Sequence, residues 1–125
     1  MSEHAGAVED TYALYQEGRA QLRAGHAAQA TAPLERARAA EPGKASIREA
    51  LGIAYFRLAR WQDAEEEFRA VVDLSPTDAY AHRALARCLA RRGEEVESTR
   101  HYKLAALLEP GGTKLPPDRH ELDPN

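Results

Sequence analysis

Apolar residues along this 125-residue chain fall into pairs of stretches with helical spacing, and a short turn separates the two stretches of each pair. In the central pair, Ile47 and Leu51 lie on one helical face. The second stretch begins at Trp61 and continues the spacing with Phe68 and Val71. Apolar positions three or four residues apart predict amphipathic helices. The pattern therefore predicts an all-α chain built from antiparallel helix–turn–helix pairs.

The helical pairs recur with a period of 34 residues and without a gap. Pro42, Pro76 and Pro110 are separated by this interval. Further columns keep a small or a large residue at the same offset: Gly18, Gly52 and Ala86; Ala20, Ala54 and Cys88; Ala30, Ala64 and Ser98; Leu34, Phe68 and Tyr102; Ala37, Val71 and Ala105. The period predicts three repeats, which span residues 11–44, 45–78 and 79–112. Residues 1–10, which precede them, are predicted to be a flexible segment or the start of the first helix, and a flexible tail, 113–125, follows.

The small and large columns predict how each helical pair packs. Small residues in the columns of Gly18 and Ala30 let the two helices approach closely. The large residue four positions later, such as Leu34, then fills the space beside this contact. Gly25 and Gly93 mark the turn between the helices, where glycine tolerates a left-handed conformation. The recurring proline cannot continue a helix and therefore ends each repeat.

These columns resemble the tetratricopeptide repeat, whose pattern is W-x2-L-G-x2-Y, then A-x3-F, then P. The central block matches it best, through Leu51, Gly52, Tyr55, Ala64, Phe68 and Pro76. The resemblance covers all three blocks and implies a right-handed superhelix of three antiparallel helix–turn–helix repeats. It also implies a non-catalytic module for protein–protein interaction, which would act as an adaptor or a chaperone-like scaffold.

In this family the first helices of successive repeats line a concave groove, so the resemblance implies a peptide-binding site on that face. The corresponding residues here are Tyr12, Tyr15, Arg19, Arg23, Glu49, Ile53, Phe56, Arg57, Tyr80, Arg83, Arg87 and Arg91. Arginine binds carboxylates through paired hydrogen bonds. The set therefore predicts an acidic or carboxylate-bearing peptide as partner. A solvated arginine face is the alternative interpretation.

The carboxylate clamp of co-chaperone tetratricopeptide domains is absent from the sequence. Its lysines, asparagines and arginine would occupy the positions that hold Tyr15, Arg19, Ala50, Tyr80 and Ala84. The only asparagine of the chain is Asn125, outside the repeats. An arginine-based site would therefore need a different geometry.

Composition narrows the class of protein further. The net charge of -3 and the pI near 6.0 argue against a nucleic-acid binder, although arginines between aromatic residues could stack on single-stranded RNA. Neither a signal peptide nor an apolar run of membrane-spanning length is present. A single cysteine excludes an internal disulfide. We therefore expect a cytoplasmic protein, and the arginine and alanine bias indicates a bacterial source.

No residue constellation predicts catalysis, a metal site or a cofactor. The five histidines lack the spacing of a helical metal site. Cys88 shares a column with two alanines, so we interpret it as a buried packing residue. The acidic run 65–67 is interpreted as a solvated helix face, because consecutive helical residues point in different directions. Trp61 is expected to pack in the turn between two helices.

The C-terminal end of the repeats leaves two alternatives open. No convincing capping helix follows the third repeat, and the tail is rich in proline with few apolar residues. The tail could fold back through Leu115 and Leu122. Otherwise the chain could associate with itself through the uncapped repeat, as a homodimer or a larger structural assembly.

Overall fold

The computed structural model describes residues 10–110, which form six α-helices joined by short turns. The predicted flexible tail and all of the predicted N-terminal segment except Asp10 lie outside the described residues. The helices are α1 (Thr11–Arg23), α2 (Ala27–Ala40), α3 (Ala45–Arg57), α4 (Trp61–Leu74), α5 (Ala79–Arg91) and α6 (Glu95–Leu108).

Consecutive helices form three hairpins that stack in chain order. α1 packs on α2, α3 on α4 and α5 on α6, while α2 against α3 and α4 against α5 join neighbouring hairpins. The main apolar core extends from Leu22 in α1 to Leu89 in α5 and so passes through all three hairpins. The all-α fold predicted from the apolar pattern is confirmed, and the first helix of each hairpin begins where a predicted repeat begins.

Each of the first two hairpins closes where a glycine of its first helix meets a large side chain of its second. A Cβ atom on Gly18 would lie 2.4 Å from Cγ of Leu34, and one on Gly52 would lie 2.8 Å from the Phe68 ring. Both distances are far shorter than the contact distance between carbon atoms, so the large side chain occupies the space of the missing Cβ. The predicted pairing of small and large columns therefore holds in these hairpins.

In two of the repeat columns, the residue in a terminal hairpin is more exposed than its counterparts. Tyr102, in the column of Leu34 and Phe68, is 42% exposed because no described helix follows α6. Ala20 is also exposed, although its counterpart Cys88 is fully buried. α3 and α5 each pack against a preceding hairpin, whereas no described helix precedes α1. A small residue of this column is therefore buried at Ala54 and Cys88, where a hairpin precedes its helix, and exposed at Ala20.

The interpretation of the acidic run as a solvated face is wrong at two of its three positions. Glu66 is exposed, but Glu67 is buried between the first and second hairpins. There its carboxylate accepts hydrogen bonds from Arg38 of α2 and from Nη1 of Arg48, which lies 3.1 Å away in α3. Glu67 therefore joins two hairpins through a buried ionic contact.

Glu65 has the corresponding role between the second and third hairpins. Its buried carboxylate pairs with Arg69 in its own helix, at 2.7 Å, and with Arg92, which follows α5. Arg69 also donates two hydrogen bonds, of 2.7 and 3.0 Å, to Glu97 in α6. Consecutive residues of α4 point in different directions, as expected, but Glu65 and Glu67 reach a different neighbouring hairpin on each side.

The turn between the two helices of each hairpin contains one residue in the left-handed conformation. Gly25 has φ +84° and Gly93 has φ +81°, as predicted for these glycines. The central hairpin has Ala59 at the same repeat position, with φ +60°. A left-handed conformation brings the alanine Cβ close to the backbone and costs about 1–2 kcal/mol.

Replacing Ala59 with glycine should therefore stabilise the protein. We expect Ala59→Gly to raise the free energy of unfolding by roughly 0.5–1 kcal/mol, because the relieved strain exceeds the added freedom of the unfolded chain. Urea denaturation followed by circular dichroism measures this change. The control, Ala32→Gly in the exposed middle of α2, should lose about 1 kcal/mol. Equal destabilisation by both substitutions would contradict the assignment of strain to Ala59.

Candidate peptide-binding groove

The positive charge of the predicted groove is concentrated at the carboxyl ends of α1, α3 and α5. Arg23, Arg57 and Arg91 each occupy the last turn of one of these helices. A cation is favourable there because the helix dipole places partial negative charge at the carboxyl end. The three arginines are spaced 34 residues apart, so the repeat itself generates this basic edge.

Three of the predicted groove residues belong to the core. Ile53 and Tyr80 are buried and Phe56 is fully buried. Their side chains are therefore not accessible to a ligand, contrary to the prediction from the sequence. All residues from 50 to 56 are buried, because α3 packs against α1, α2 and α4 while Arg87 and Arg91 of α5 lie over Phe56. These three predicted groove residues therefore belong to the core, and Arg87 and Arg91 lie over the ring of Phe56.

Two arginines of α5 cover the aromatic residues of the central hairpin. The guanidinium carbon of Arg87 lies 5.5 Å from the centre of the Phe56 ring. Arg91 lies 5.8 Å from the same ring and 5.0 Å from the ring of Trp61. Trp61 packs edge-on against Phe56 with 4.9 Å between ring centres, which confirms its predicted place in the turn. The aromatic rings hold both guanidinium groups by cation–π attraction.

Arg87 and Arg91 differ in their partners from the six arginines that pair with carboxylates. Carboxylates pair with Arg38, Arg48, Arg60, Arg69, Arg83 and Arg92. Within residues 10–110, neither Arg87 nor Arg91 forms an ion pair, and the buried Nε of Arg87 has no hydrogen-bond partner. Arg83 also has an unpartnered Nε, but its Nη2 pairs with Glu109 at 2.9 Å.

The remaining predicted groove residues are divided between the basic edge and the opposite end. Arg57 donates to the carbonyl oxygen of Leu22 at 2.7 Å, which connects α3 to α1. Arg19 donates to the hydroxyl of Tyr15 at 2.8 Å. Tyr12 and Tyr15 line a shallow pocket of about 270 Å³ near the amino end of α3. Arg23 is exposed, and Glu49 is half-buried in α3.

Comparison with known proteins identifies the repeat. A family model of the tetratricopeptide repeat matches residues 15–79 and 50–107, so the chain belongs to the tetratricopeptide repeat family. No curated protein matches it significantly.

Solved structures share the superhelical fold. A mutant of MamA has a TM-score of 0.79 and 26% identity, over 84% of this chain and 77% of that chain. The first tetratricopeptide domain of Spaghetti (RPAP3), bound to the HSP90 peptide SRMEEVD, has a TM-score of 0.79 and 20% identity, over 85% and 84% of the two chains. Its second domain, bound to the same peptide, has a TM-score of 0.77 and 18% identity, over 86% and 99%. The predicted fold is confirmed, and the chain is a module for protein–protein interaction.

A pair of histidines occupies the repeat positions that hold an ion pair in the hairpin before it. Arg48 donates from Nε to the carbonyl oxygen of Pro42 and pairs with Glu67. Adding 34 to each number gives His82, Pro76 and His101. His82 Nε2 lies 2.8 Å from the carbonyl oxygen of Pro76, and its Nδ1 lies 2.9 Å from Nδ1 of His101.

The geometry assigns the protons of this pair. His82 donates from Nε2 to the carbonyl, so its Nδ1 accepts from Nδ1 of His101 when both rings are neutral. Nε2 of His101 then faces Glu97 at 3.7 Å. Burial, followed by the neighbouring His82 ring, lowers the pKa of His101 below its ordinary value of 6.5, although Glu97 acts in the opposite direction. No local pattern in the sequence predicts this pair, because its members are 19 residues apart and lie on different helices.

Other residues considered for chemistry have structural positions. Cys88 is fully buried, and burial raises the pKa of its thiol to about 12, so the thiol stays protonated near neutral pH. Between residues 10 and 110, no three His, Cys, Asp or Glu side chains gather into a group that could hold a metal ion. None of the helices in this region has the length and apolar character of a membrane span. His4 and His120 lie outside the described residues.

The histidine pair should make stability depend on pH. Because folding lowers the pKa of His101, the unfolded chain binds a proton more readily, and the free energy of unfolding falls as the pH drops below 6.5. Arg69 lowers the pKa of Glu97 from 4.5, so loss of that ion pair occurs at lower pH. Thermal unfolding between about pH 7 and pH 5 measures the effect of the histidines.

A double variant isolates the contribution of the pair. His82→Arg with His101→Glu reproduces the Arg48–Glu67 ion pair of the preceding hairpin and retains every other histidine. We expect its melting temperature to change less over this pH range than that of the unmodified protein. Identical pH dependence in the two proteins would show that the histidine pair does not cause it.

Proposed function

We propose that the chain binds an acidic peptide segment across the basic edge of its groove, with Arg87 and Arg91 as the central contacts. The peptide would place a carboxylate over the guanidinium of Arg87 and extend along the carboxyl ends of α1 and α3 toward Arg23. Its role would be that of a non-catalytic adaptor or chaperone-like module. We also propose that the protein acts in the cytoplasm.

The observation that carries this proposal is that Arg87 forms no ion pair with any carboxylate of residues 10–110, although the Phe56 ring holds its guanidinium in place. The Arg87 side chain is half-buried, and a peptide carboxylate would supply the charge-assisted hydrogen bonds that no described carboxylate gives its guanidinium. The side chain is also held in position by the Phe56 ring, so binding would require little ordering of a flexible arginine. A solvated arginine face, the alternative interpretation, would not favour an Nε atom buried without a partner.

The surrounding charges support the same end of the groove. Arg91 adds a second unpaired guanidinium beside Arg87, and Arg23 is exposed at the equivalent position of the first hairpin. Arg83, which the sequence grouped with them, is paired with Glu109, so we assign it a minor part in binding. The Spaghetti domains hold an acidic peptide, but their likeness to this chain shows the fold alone, and the clamp positions here carry different residues.

Charge reversal at the centre of the basic edge should abolish binding of an acidic probe. We expect a labelled hexaglutamate peptide to bind, and hexaglutamine of the same length to bind much more weakly. Arg87→Glu with Arg91→Glu should weaken hexaglutamate binding by roughly tenfold or more, because each charge-assisted hydrogen bond contributes about 1.5–3 kcal/mol. Fluorescence anisotropy measures the affinity, and circular dichroism confirms that helix content is kept.

A control with the same change of charge separates a site from general electrostatics. Arg100→Glu with Lys103→Glu changes two exposed cations on α6, outside the groove. This variant should bind hexaglutamate about as well as the unmodified protein. If both double variants weaken binding equally, the attraction is an effect of net charge and not of a specific site. If the Arg87 and Arg91 variant binds as well as the unmodified protein, the site does not lie at this edge.

A further inference from the structure

The outer face of α6 carries large apolar residues that the fold does not bury. Val96 is 80% exposed and Leu107 is 76% exposed. Arg100 and Lys103 lie between them at intervals of four, three and four residues, so all four share one face of the helix. We call these four residues the α6 stripe. Leu104 and Leu108 are exposed beside it.

The repeat architecture does not require apolar residues at the two ends of the α6 stripe. The same repeat positions hold Gln62 and Asp73 in α4, and alanines 28 and 39 in α2. All of these positions are at least partly open to solvent in the single chain, since the outer face of each second helix points away from the stack. Two large exposed residues on one helix therefore need another explanation, and exposed apolar patches commonly mark interaction surfaces.

The outer face of α4 has the opposite charge. Glu66 and Asp73 are exposed there, and neither forms an ion pair within the part of the chain that the structure describes. Leu74 is exposed next to Asp73. On α6, Arg100 and Lys103 likewise have no ion pair among the described residues. One chain thus presents an acidic face on α4 and a basic face on α6.

These two faces lie next to each other. Arg69 of α4 spans the gap to Glu97 of α6 through two hydrogen bonds, which also neutralises its own charge on the α4 face. Since α4 and α6 are equivalent helices of successive hairpins, they run in the same direction. A twofold axis that is parallel to both helices and lies above their outer faces, midway between them, would lay α6 of one copy over α4 of another, and the reverse contact would form at the same time.

We infer that the outer faces of α4 and α6 form a homodimer interface. In this arrangement Arg100 faces Glu66 of the second copy, because the two residues occupy the same repeat position. By the same register Val96 faces Gln62 and Leu107 faces Asp73, with Leu74 beside it and Lys103 of the second copy one helical turn away from Asp73. A pairing of α6 with α6 would instead bring Arg100 and Lys103 of both copies together, and like charges in contact are unfavourable. The charge pattern therefore selects the contact between α6 and α4.

The mass of the protein in solution tests the inference. Sedimentation equilibrium from about 1 µM to about 300 µM should show a dimer that dissociates on dilution. Leu107→Asp, which introduces the residue that α4 has at this position, should shift the protein to monomer. Tyr12→Asp is the matched control, since Tyr12 is 68% exposed but lies on α1, and it should leave the dimer intact.

A charge exchange tests the geometry itself. Arg100→Glu alone and Glu66→Arg alone should each weaken the dimer by about tenfold or more, because each creates two like-charge contacts. The combined variant should restore dimerisation, since the pair is reversed but complementary. Circular dichroism verifies that each variant is folded. A monomeric unmodified protein across the whole range would overturn the inference and leave the α6 stripe to another occupant, and failure of the combined variant to recover would overturn the α6–α4 contact.

Discussion

Close contact within each hairpin depends on the space that a missing side chain leaves in the first helix. Leu34 and Phe68 occupy the position that a Cβ on Gly18 or Gly52 would need, so the second helix approaches the backbone of the first. This contact brings α1 and α3 close enough to their partners to bury the core. The same contact recurs after 34 residues, so the first and second hairpins have the same internal packing. Arginines at equivalent repeat positions, such as Arg23 and Arg57, therefore end equivalent helices.

Different chemistry joins the hairpins at each junction. Between the first and second, Glu67 binds arginines from both sides, while between the second and third Glu65 and Glu97 share Arg69. Breaking a buried pair is costly because it leaves a charge without a partner, whereas the pair itself adds little net stability. We therefore regard these contacts as fixing which hairpin packs on which. The His82–His101 pair makes the equivalent contact inside the third hairpin, and burial lowers the pKa of its His101 member.

The sequence predicted what the period determines and failed where the neighbouring helix decides. Spacing alone identified the hairpins, the turn glycines and the small column at Ala30, because each repeat supplies its own partner. Glu65 looked like an exposed carboxylate, since nothing in its local sequence reveals that Arg92 lies beside it after folding. Phe56 was assigned to the groove by its position, but helices on both sides of α3 bury it. The sequence gives only the position of a residue within its repeat. A residue at one such position can be exposed in a terminal repeat and buried in the central repeat.

The distribution of charge after folding is what separates binding surfaces from structural contacts. Arginine is abundant throughout the chain, so abundance alone gives no reason to choose one arginine face over another. In the folded chain, buried or half-buried carboxylates form ion pairs with four arginines: Arg38, Arg48, Arg69 and Arg92. Cations without an ion pair in the described region include Arg87 and Arg91 above Phe56, Arg23 on α1, and Arg100 and Lys103 along α6. Because desolvating an unpaired cation is unfavourable, a peptide carboxylate over Arg87 and a carboxylate of a second copy over Arg100 would each offset that cost, and we propose the groove and the outer face as two separate sites.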